Sequence, residues 1–292
     1  MVPVDHPTAH PAIAHLPVPP ADPDAEARLA DLLDPSGTLA EAMRRFTDSA
    51  SLSAADALML AERLVDVLGR RTSEDLEGVE PGTAEVVLGA VDVRSSGYFV
   101  DCGAARSRLV LGNDRRWTVL EVIEIVTREL YPGRHLARVN RPAMPSEEPS
   151  AEATVLRGTE LVGREVLLGD HELAWEVDRL GRRLGRRWDA DRQLAVRRAL
   201  EDLVPAVAHA LVKRDDLCAA PSIPMDALLP SELEREQGPK RAVAWLARAG
   251  APGLVREWLT VTGQTGGLRR LVTEPLTPVA LRHEVEVGRE AR

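Results

Sequence analysis

TAEVVLGAVDVRSSGYFVDCGAARSRLVLGNDRRWTVLEVIEIVTRELYPG, residues 83–133, contains the change of periodicity that decides the fold. Val86, Val87, Leu88, Val91 and Val93 read as a strand, and Ser95-Ser96-Gly97 as a turn. Tyr98 to Cys102 returns as a second strand, and Arg108 to Leu111 makes a third, closed by Gly112-Asn113-Asp114. Three short strands in succession predict an antiparallel meander, which needs a helix to cover one face. The chain supplies that helix at once. Thr118 and Glu121 stand at capping-box spacing, Val119, Val122, Ile123, Val126 and Leu130 share a side, and Pro132-Gly133 ends the run.

Upstream the pattern is helical. Asp24 is placed to cap a helix through Leu33 that Pro35 stops, Thr38 and Glu41 form a second capping box, and Ser53 opens a longer helix ending near Gly69. Ala57, Leu60, Leu64, Val67 and Leu68 give that last helix a buried stripe. Residues 1–23, MVPVDHPTAHPAIAHLPVPPADP, read as a disordered Pro/His-rich leader, dispensable for folding, because repeated proline removes backbone donors. His6, His10 and His15 share no helical face and so read as part of a mobile tail rather than a metal site.

Downstream, residues 140–153, NRPAMPSEEPSAEA, read as a linker between a domain at 24–139 and a helical domain at 154–292. Thr154–Leu156 and Glu165–Leu168 are expected as a short hairpin around Gly158 or Gly163. Asp170 is expected to cap a helix with Leu173, Val177, Leu180, Leu184 and Trp188 on one face. Asp189 is expected to cap the next helix, bent at Pro205, and Ser231 with Glu234 makes a third capping box. A helix interrupted at Gly238-Pro239 resumes over Val243–Ala249, and Leu254–Val261 reads as a separate short helix. The class is therefore α+β and predominantly α-helical, with the β-meander in the N-terminal half.

Composition narrows the function. Aromatic residues are 3% of the chain, so its cores must be built from Ala, Val and Leu, which suits helix packing. The net charge of −9 repels nucleic acid and anionic lipid unless a local basic face exists. The basic residues are almost all Arg, with Lys only at Lys213 and Lys240, which reads as the coding bias of a high-GC bacterium rather than selection for phosphate. Cys102 and Cys218 are far apart and give neither a disulfide scaffold nor a metal spacing. No stretch has the roughly 20 apolar residues of a membrane span, and no secretory signal is recognised, so the cytoplasm is the expected location.

Motif chemistry is sparse. The phosphate-cradling loop, the dinucleotide fingerprint, the nucleophile elbow and the zinc-protease helix are all missing, so no cofactor and no metal is expected. Gly263-Gln-Thr-Gly-Gly267 is Gly-rich but lacks a Lys and reads as a flexible turn. Asp170-His171-Glu172 is the densest titratable cluster, either a helix cap or a general base oriented by a carboxylate. Cys102, at a strand end, reads as a small buried hydrophobe on the face of Tyr98 and Val100, or as a nucleophile with His135 as base. Arg179, Arg182, Arg183, Arg186 and Arg187 crowd one helix side, which reads as solvated and salt-bridged since no aromatic interleaves them. Gly181 and Gly185 sit on one side of that helix, where a second backbone, from this chain or a partner, can approach.

These readings make the chain an interaction protein, an adaptor, regulatory or assembly component that meets a protein partner or its own copy through helical surfaces. The first alternative is an enzyme with a polar site around His135, His171 or Cys102, signalled by convergence of two of His135, His171, His209, Cys102 and Asp170 in one pocket. The other is a nucleic-acid binder using the Arg179–Arg187 face, the less expected of the two partners.

Overall fold

The computed structural model describes Ile13 and residues 16–33, 36–91, 97–141, 143–144, 150–213 and 239–290. Helices dominate, and the strands lie in the N-terminal half, as the class requires. The order is α1 (Ala25–Leu32), α2 (Leu39–Ser49), β1 (Ser51–Leu52), α3 (Ala54–Asp75), β2 (Thr83–Gly89), β3 (Gly97–Asp101), β4 (Arg106–Gly112), β5 (Trp117–Thr118), α4 (Val119–Glu129) and α5 (Arg134–Asn140). Then come α6 (Ala151–Leu167), α7 (Asp170–Arg183), α8 (Ala190–Glu201), α9 (Val204–Lys213), α10 (Pro239–Thr262), α11 (Gln264–Thr273) and α12 (Pro278–Glu290). No helix among the described residues is long and apolar enough to cross a membrane.

The strands stand where the alternation places them, but their order is not that of a meander. β4 lies in the middle, parallel to β2 (Val86 opposite Leu109) and antiparallel to β3 (Phe99 opposite Leu109), while β1 and β5 form a separate two-stranded antiparallel pair. The reason is burial. Leu109, Val110 and Leu111 are all buried, so β4 is covered on both faces, which suits a central strand with an unbroken apolar run. Gly97 is the first residue of β3 rather than a turn residue, and a side chain there would meet Ile125 of α4 at 2.9 Å. Ser95 and Ser96, expected in the turn, lie outside the described residues, as do Pro35, Cys218, Gly238 and the expected Ser231 capping box.

Local signals that carry their own hydrogen bonds are accurate. Thr38 and Glu41 exchange the two bonds of a capping box at 2.8 and 3.3 Å, and Thr118 and Glu121 do so at 2.7 and 3.2 Å. Ser53 caps α3 through the Asp56 N–H. Asp24 and Asp189 do not cap with their side chains. Asp22 accepts from the Asp24 N–H at 2.9 Å, and Asp178 accepts from the Ala190 N–H at 3.1 Å.

Glycine and proline are the residues most often misread. α3 continues through Gly69 to Asp75, with the Tyr131 ring 3.6 Å from where a side chain would begin. The hairpin expected at residues 154–168 is instead the long helix α6. At Gly158 a Cβ would sit 2.8 Å from the Ala251 carbonyl oxygen of α10, and at Gly163 it would sit 2.6 Å from Pro132 and 2.8 Å from Leu268. These glycines are sites of close approach, not turns. α10 is one helix through Pro252, not two, and Gly266 and Gly267 lie inside α11, not in a flexible turn. The bend expected at Pro205 is a break at Asp202-Leu203, with Pro205 in the first turn of α9, where a missing N–H costs nothing.

Three hydrophobic clusters result. The largest draws on both sides of residues 140–153, joining Leu60, Leu109, Trp117 and Ile123 to Leu167, Val177, Leu194 and Leu268. The second gathers α1 and α2 with α8, α9 and the start of α10, and the third gathers α6 with α10, α11 and α12. The leader is not wholly unstructured. Ile13 is buried and Leu16 and Val18 pack against the second cluster, because proline forbids a helix or a ladder but not side-chain burial.

If α6 is held this closely, Gly158→Ala and Gly163→Ala should each lower stability by about 1–3 kcal/mol, overriding the gain of about 1 kcal/mol an exposed helix would give. Gly253→Ala, on α10 where a Cβ meets nothing within 4 Å, should instead stabilise by about 1 kcal/mol. Urea denaturation of the three variants checks this, and a gain at Gly158 would contradict the packing.

Candidate functional site

The proposed nucleophile and base are in different environments. Cys102 follows β3 and is exposed, as are Tyr98 and Asp101, so the face it shares with Tyr98 looks outward and not into the core. His135, on α5, is fully buried. Its Nε2 lies 2.9 Å from the Pro81 carbonyl, which can only accept, so Nε2 carries the proton. Nδ1 therefore accepts from the Ser107 hydroxyl at 2.8 Å. Tyr131 donates to the same Pro81 carbonyl at 2.8 Å and meets His135 edge-on. Burial pushes the His135 pKa down, against the Pro81 bond, and pushes Tyr131 up to about 12. Both ring nitrogens are thus committed to tying residue 81 and β4 to α5, and no thiol–imidazole pair forms.

Asp170 is not a cap. Gly169 holds the cap position, and Asp170 accepts from Arg164 and Arg198. Burial raises its pKa, but these two guanidiniums outweigh that and hold the carboxyl below its usual value. His171 is exposed beside it, and Glu172 accepts from Arg71 at 2.8 Å. Asp170 lines a cleft of about 990 Å³ with Glu165, Arg198, Glu201, Arg248 and Arg256, and the segment Pro19–Pro23 closes one side. Neither His135, His171, His209 nor Cys102 lines it. Beneath it runs an ion-pair network in which Arg256 bonds Glu165 at 2.9 Å, Arg197 bonds Glu201 at 3.0 Å and Arg248 reaches Glu124 at 3.3 Å. Among the described residues no group of three or more His, Cys, Asp or Glu is set to hold a metal ion.

The two glycines of α7 are explained within the chain. α7 ends at Arg183, short of Trp188, because Gly185 takes φ +68°. The Arg186 N–H then bonds the Gly181 carbonyl at 2.8 Å and the Gly185 N–H bonds the Arg182 carbonyl at 3.1 Å, which is a Schellman cap. Gly181 leaves room for the Trp188 indole, folded back to 3.1 Å from where a Cβ would be. Among the described residues no second helix crosses there.

The outward side of α7 holds what the pattern missed. Trp175 is 50% exposed, while Trp117, Trp188, Trp245 and Trp258 are buried. The Arg179 guanidinium stacks 4.9 Å from its ring centroid, so an aromatic does interleave the arginines. Arg182, Arg183, Arg186 and Arg187 are exposed further along the chain, with Arg186 3.7 Å from Asp56 of α3. Arg63 of α3 clasps Glu176 at 2.7–2.9 Å, and the pairing order, Asp56–Arg186, Arg63–Glu176, Arg71–Glu172, sets α3 antiparallel to α7. Met59 of α3, three residues from Asp56 and four from Arg63, is 42% exposed.

Glu160 of α6 offers a test of the buried charge. It is 8% exposed, with Arg157 at 3.5 Å. Burial pushes its pKa up to about 7 against Arg157, with Glu129 adding to the rise and Arg128 and Arg134 opposing it. The folded pKa is above the unfolded one, so this contribution is complete below about pH 4.5 and is lost as pH rises through 7, a fall of about 3 kcal/mol. Glu160→Gln should flatten that part of the stability–pH curve and exceed the parent at pH 8. An unchanged slope in denaturant titrations from pH 4.5 to 8 would assign it to other groups.

Comparison of the chain with protein-family models, with curated proteins and with solved structures gives no match.

Proposed function

We propose that this is a cytoplasmic interaction protein, an adaptor, regulatory or assembly component, and that its contact surface is the outward side of α7. The observation that carries the reading is Trp175, half exposed beneath the Arg179 guanidinium in a chain that buries its other four tryptophans. Trp, Arg and Met concentrate at the centres of protein interfaces, where loss of a single anchor costs about 2 kcal/mol or more. Arg182, Arg183, Arg186 and Arg187 are exposed further along the same helix and its cap, so an apolar anchor is followed by basic groups. That pattern complements an acidic partner surface carrying an apolar side chain.

A second reading rests on the same residue. A stacking indole among arginines is also the composition of a single-strand nucleic-acid surface, so Trp175 supports that alternative more than the sequence pattern did. The enzyme alternative gains no comparable support, since Asp170 alone of its candidate residues lines the cleft.

The test uses the whole chain. An acidic amphipathic peptide with a Leu anchor should bind with an emission blue shift from Trp175, and Trp175→Ala should weaken binding at least 10-fold by anisotropy of the labelled peptide. Sedimentation velocity on the same samples detects a self-associated form that Trp175→Ala with Arg182→Ala dissolves. Binding of single-stranded DNA that falls steeply with salt and needs Trp175 would move the assignment to nucleic acid. Absence of peptide binding, self-association and DNA binding alike would remove α7 as a contact surface.

A further inference from the structure

The cleft between α6 and α10 has one wall unlike the others. Residues 16–23 form no helix or strand, yet they line it from Pro19 to Pro23, opposite Glu165, Arg248, Pro252 and Arg256. We infer that this segment is a strap, seated by Leu16 and Val18 with the buried Ile13 just ahead of them, whose lifting opens the charged cleft beneath it. The cleft takes Asp170 from the start of α7 but not Trp175 or Arg179, so the inference does not depend on the function proposed for the outward side of that helix.

The way the segment is held is the basis. Pro17, Pro19, Pro20 and Pro23 have no N–H to give. The N–H groups of Leu16 and Val18 are spent locally, on the Ile13 and Leu16 carbonyls at 3.1 and 3.0 Å. Among the described residues the hydrogen bond from the middle of the strap, residues 16–21, to the helices behind it is that of His209, whose Nε2 donates to the Pro19 carbonyl at 3.0 Å. Side chains do the seating. Leu16 packs against both the second and the third hydrophobic clusters, and Val18 against the second. They fit over Gly250 of α10, where a Cβ would stand 3.0 Å from Leu16 Cβ and 3.3 Å from Val18 Cγ2. Gly250 is thus a notch in the helix that receives the strap.

The two ends differ. At the far end Asp22 accepts from Arg28 of α1 at 2.7 Å, and Arg28 also reaches Asp202 at 2.9 Å beyond α8, so this end is tied to the body as a hinge. Between notch and hinge the prolines span space rather than pack into it, since the cleft lies directly beneath them. What is uncovered on lifting is a set of charged side chains among apolar ones such as Leu161, Val204 and Ala249. Arg248, Arg256, Glu165 and Asp170 each already have an ion-pair partner outside the strap, so their charges stay paired with the strap away. A device of this kind needs a closed state held by few contacts and an open state that leaves no unpaired charge, and both conditions are met.

The experiment measures the strap directly in the full chain. Nitroxide labels are placed at Pro20→Cys, which is exposed, and Gly253→Cys, where a new side chain meets nothing within 4 Å, in a Cys102→Ser, Cys218→Ser background. Pulsed dipolar spectroscopy should give one short distance in this parent. Leu16→Asp and, from the opposite side of the contact, Gly250→Leu should each transfer at least half of the population to a longer, broader distribution, with the far-ultraviolet helix signal and the mass unchanged. A short distance that persists in either variant would overturn the strap. So would loss of the helix signal in Leu16→Asp, which would make the segment part of the folding core.

Discussion

The absence of a side chain at two positions of α6 sets the spacing of the helices around it. At Gly158 the backbone of α10 comes in at Ala251, and at Gly163 Pro132 and Leu268 fill the space a Cβ would take. Each glycine costs the isolated helix about 1 kcal/mol, and close approach offsets that through dispersion attraction along the interface. α6 consequently touches α3, α4, α5, α10, α11 and α12, and the residues on either side of the Pro-rich stretch at 140–153 share one large core.

A helix enclosed in this way has little face left to turn to water. Its charged residues must find partners inside the protein, because an ion buried alone costs several kcal/mol. Arg164 does so through Asp170, and Glu165 through Arg256. This explains why Asp170, at the first turn of α7, does not cap that helix, since its carboxylate is needed to neutralise Arg164 and Arg198. Glu160 has, among the described residues, the longer contact with Arg157, and burial pushes its pKa up to about 7. The ionic floor of the cleft thus follows from the packing around α6.

The same logic separates what could be read in the chain from what could not. The boxes at Thr38 and Thr118, the stripe of α3 and the positions of the three strands are local, since the residues that signal them also make the bonds or share the face. Strand order is not local. β3 and β4 look alike in alternation, and only the burial of Leu109, Val110 and Leu111 on both faces puts β4 in the middle. Glycine and proline carry no sign of their own. Gly158 and Gly163 allow contact, Gly185 ends a helix, and Pro252 sits inside one, so a rule that treats them all as breaks cuts α6 and α10 in pieces.

The candidate site shows the limit most clearly. Alternation correctly put Cys102 on the side of Tyr98, but which side faces the core depends on where α4 lies, and that is a tertiary fact. Trp175 was legible in principle. It stands opposite the stripe of Leu173, Val177 and Leu180, and one turn from Arg179 and two from Arg182. Searching for the residues that make an apolar stripe passes over the one that breaks it. A large indole on the polar side of an amphipathic helix forgoes burial worth a few kcal/mol, and the chain buries every other tryptophan it has. Half of the Trp175 indole therefore stays in water with the Arg179 guanidinium stacked on it, and the contact surface proposed above rests on that departure from the stripe.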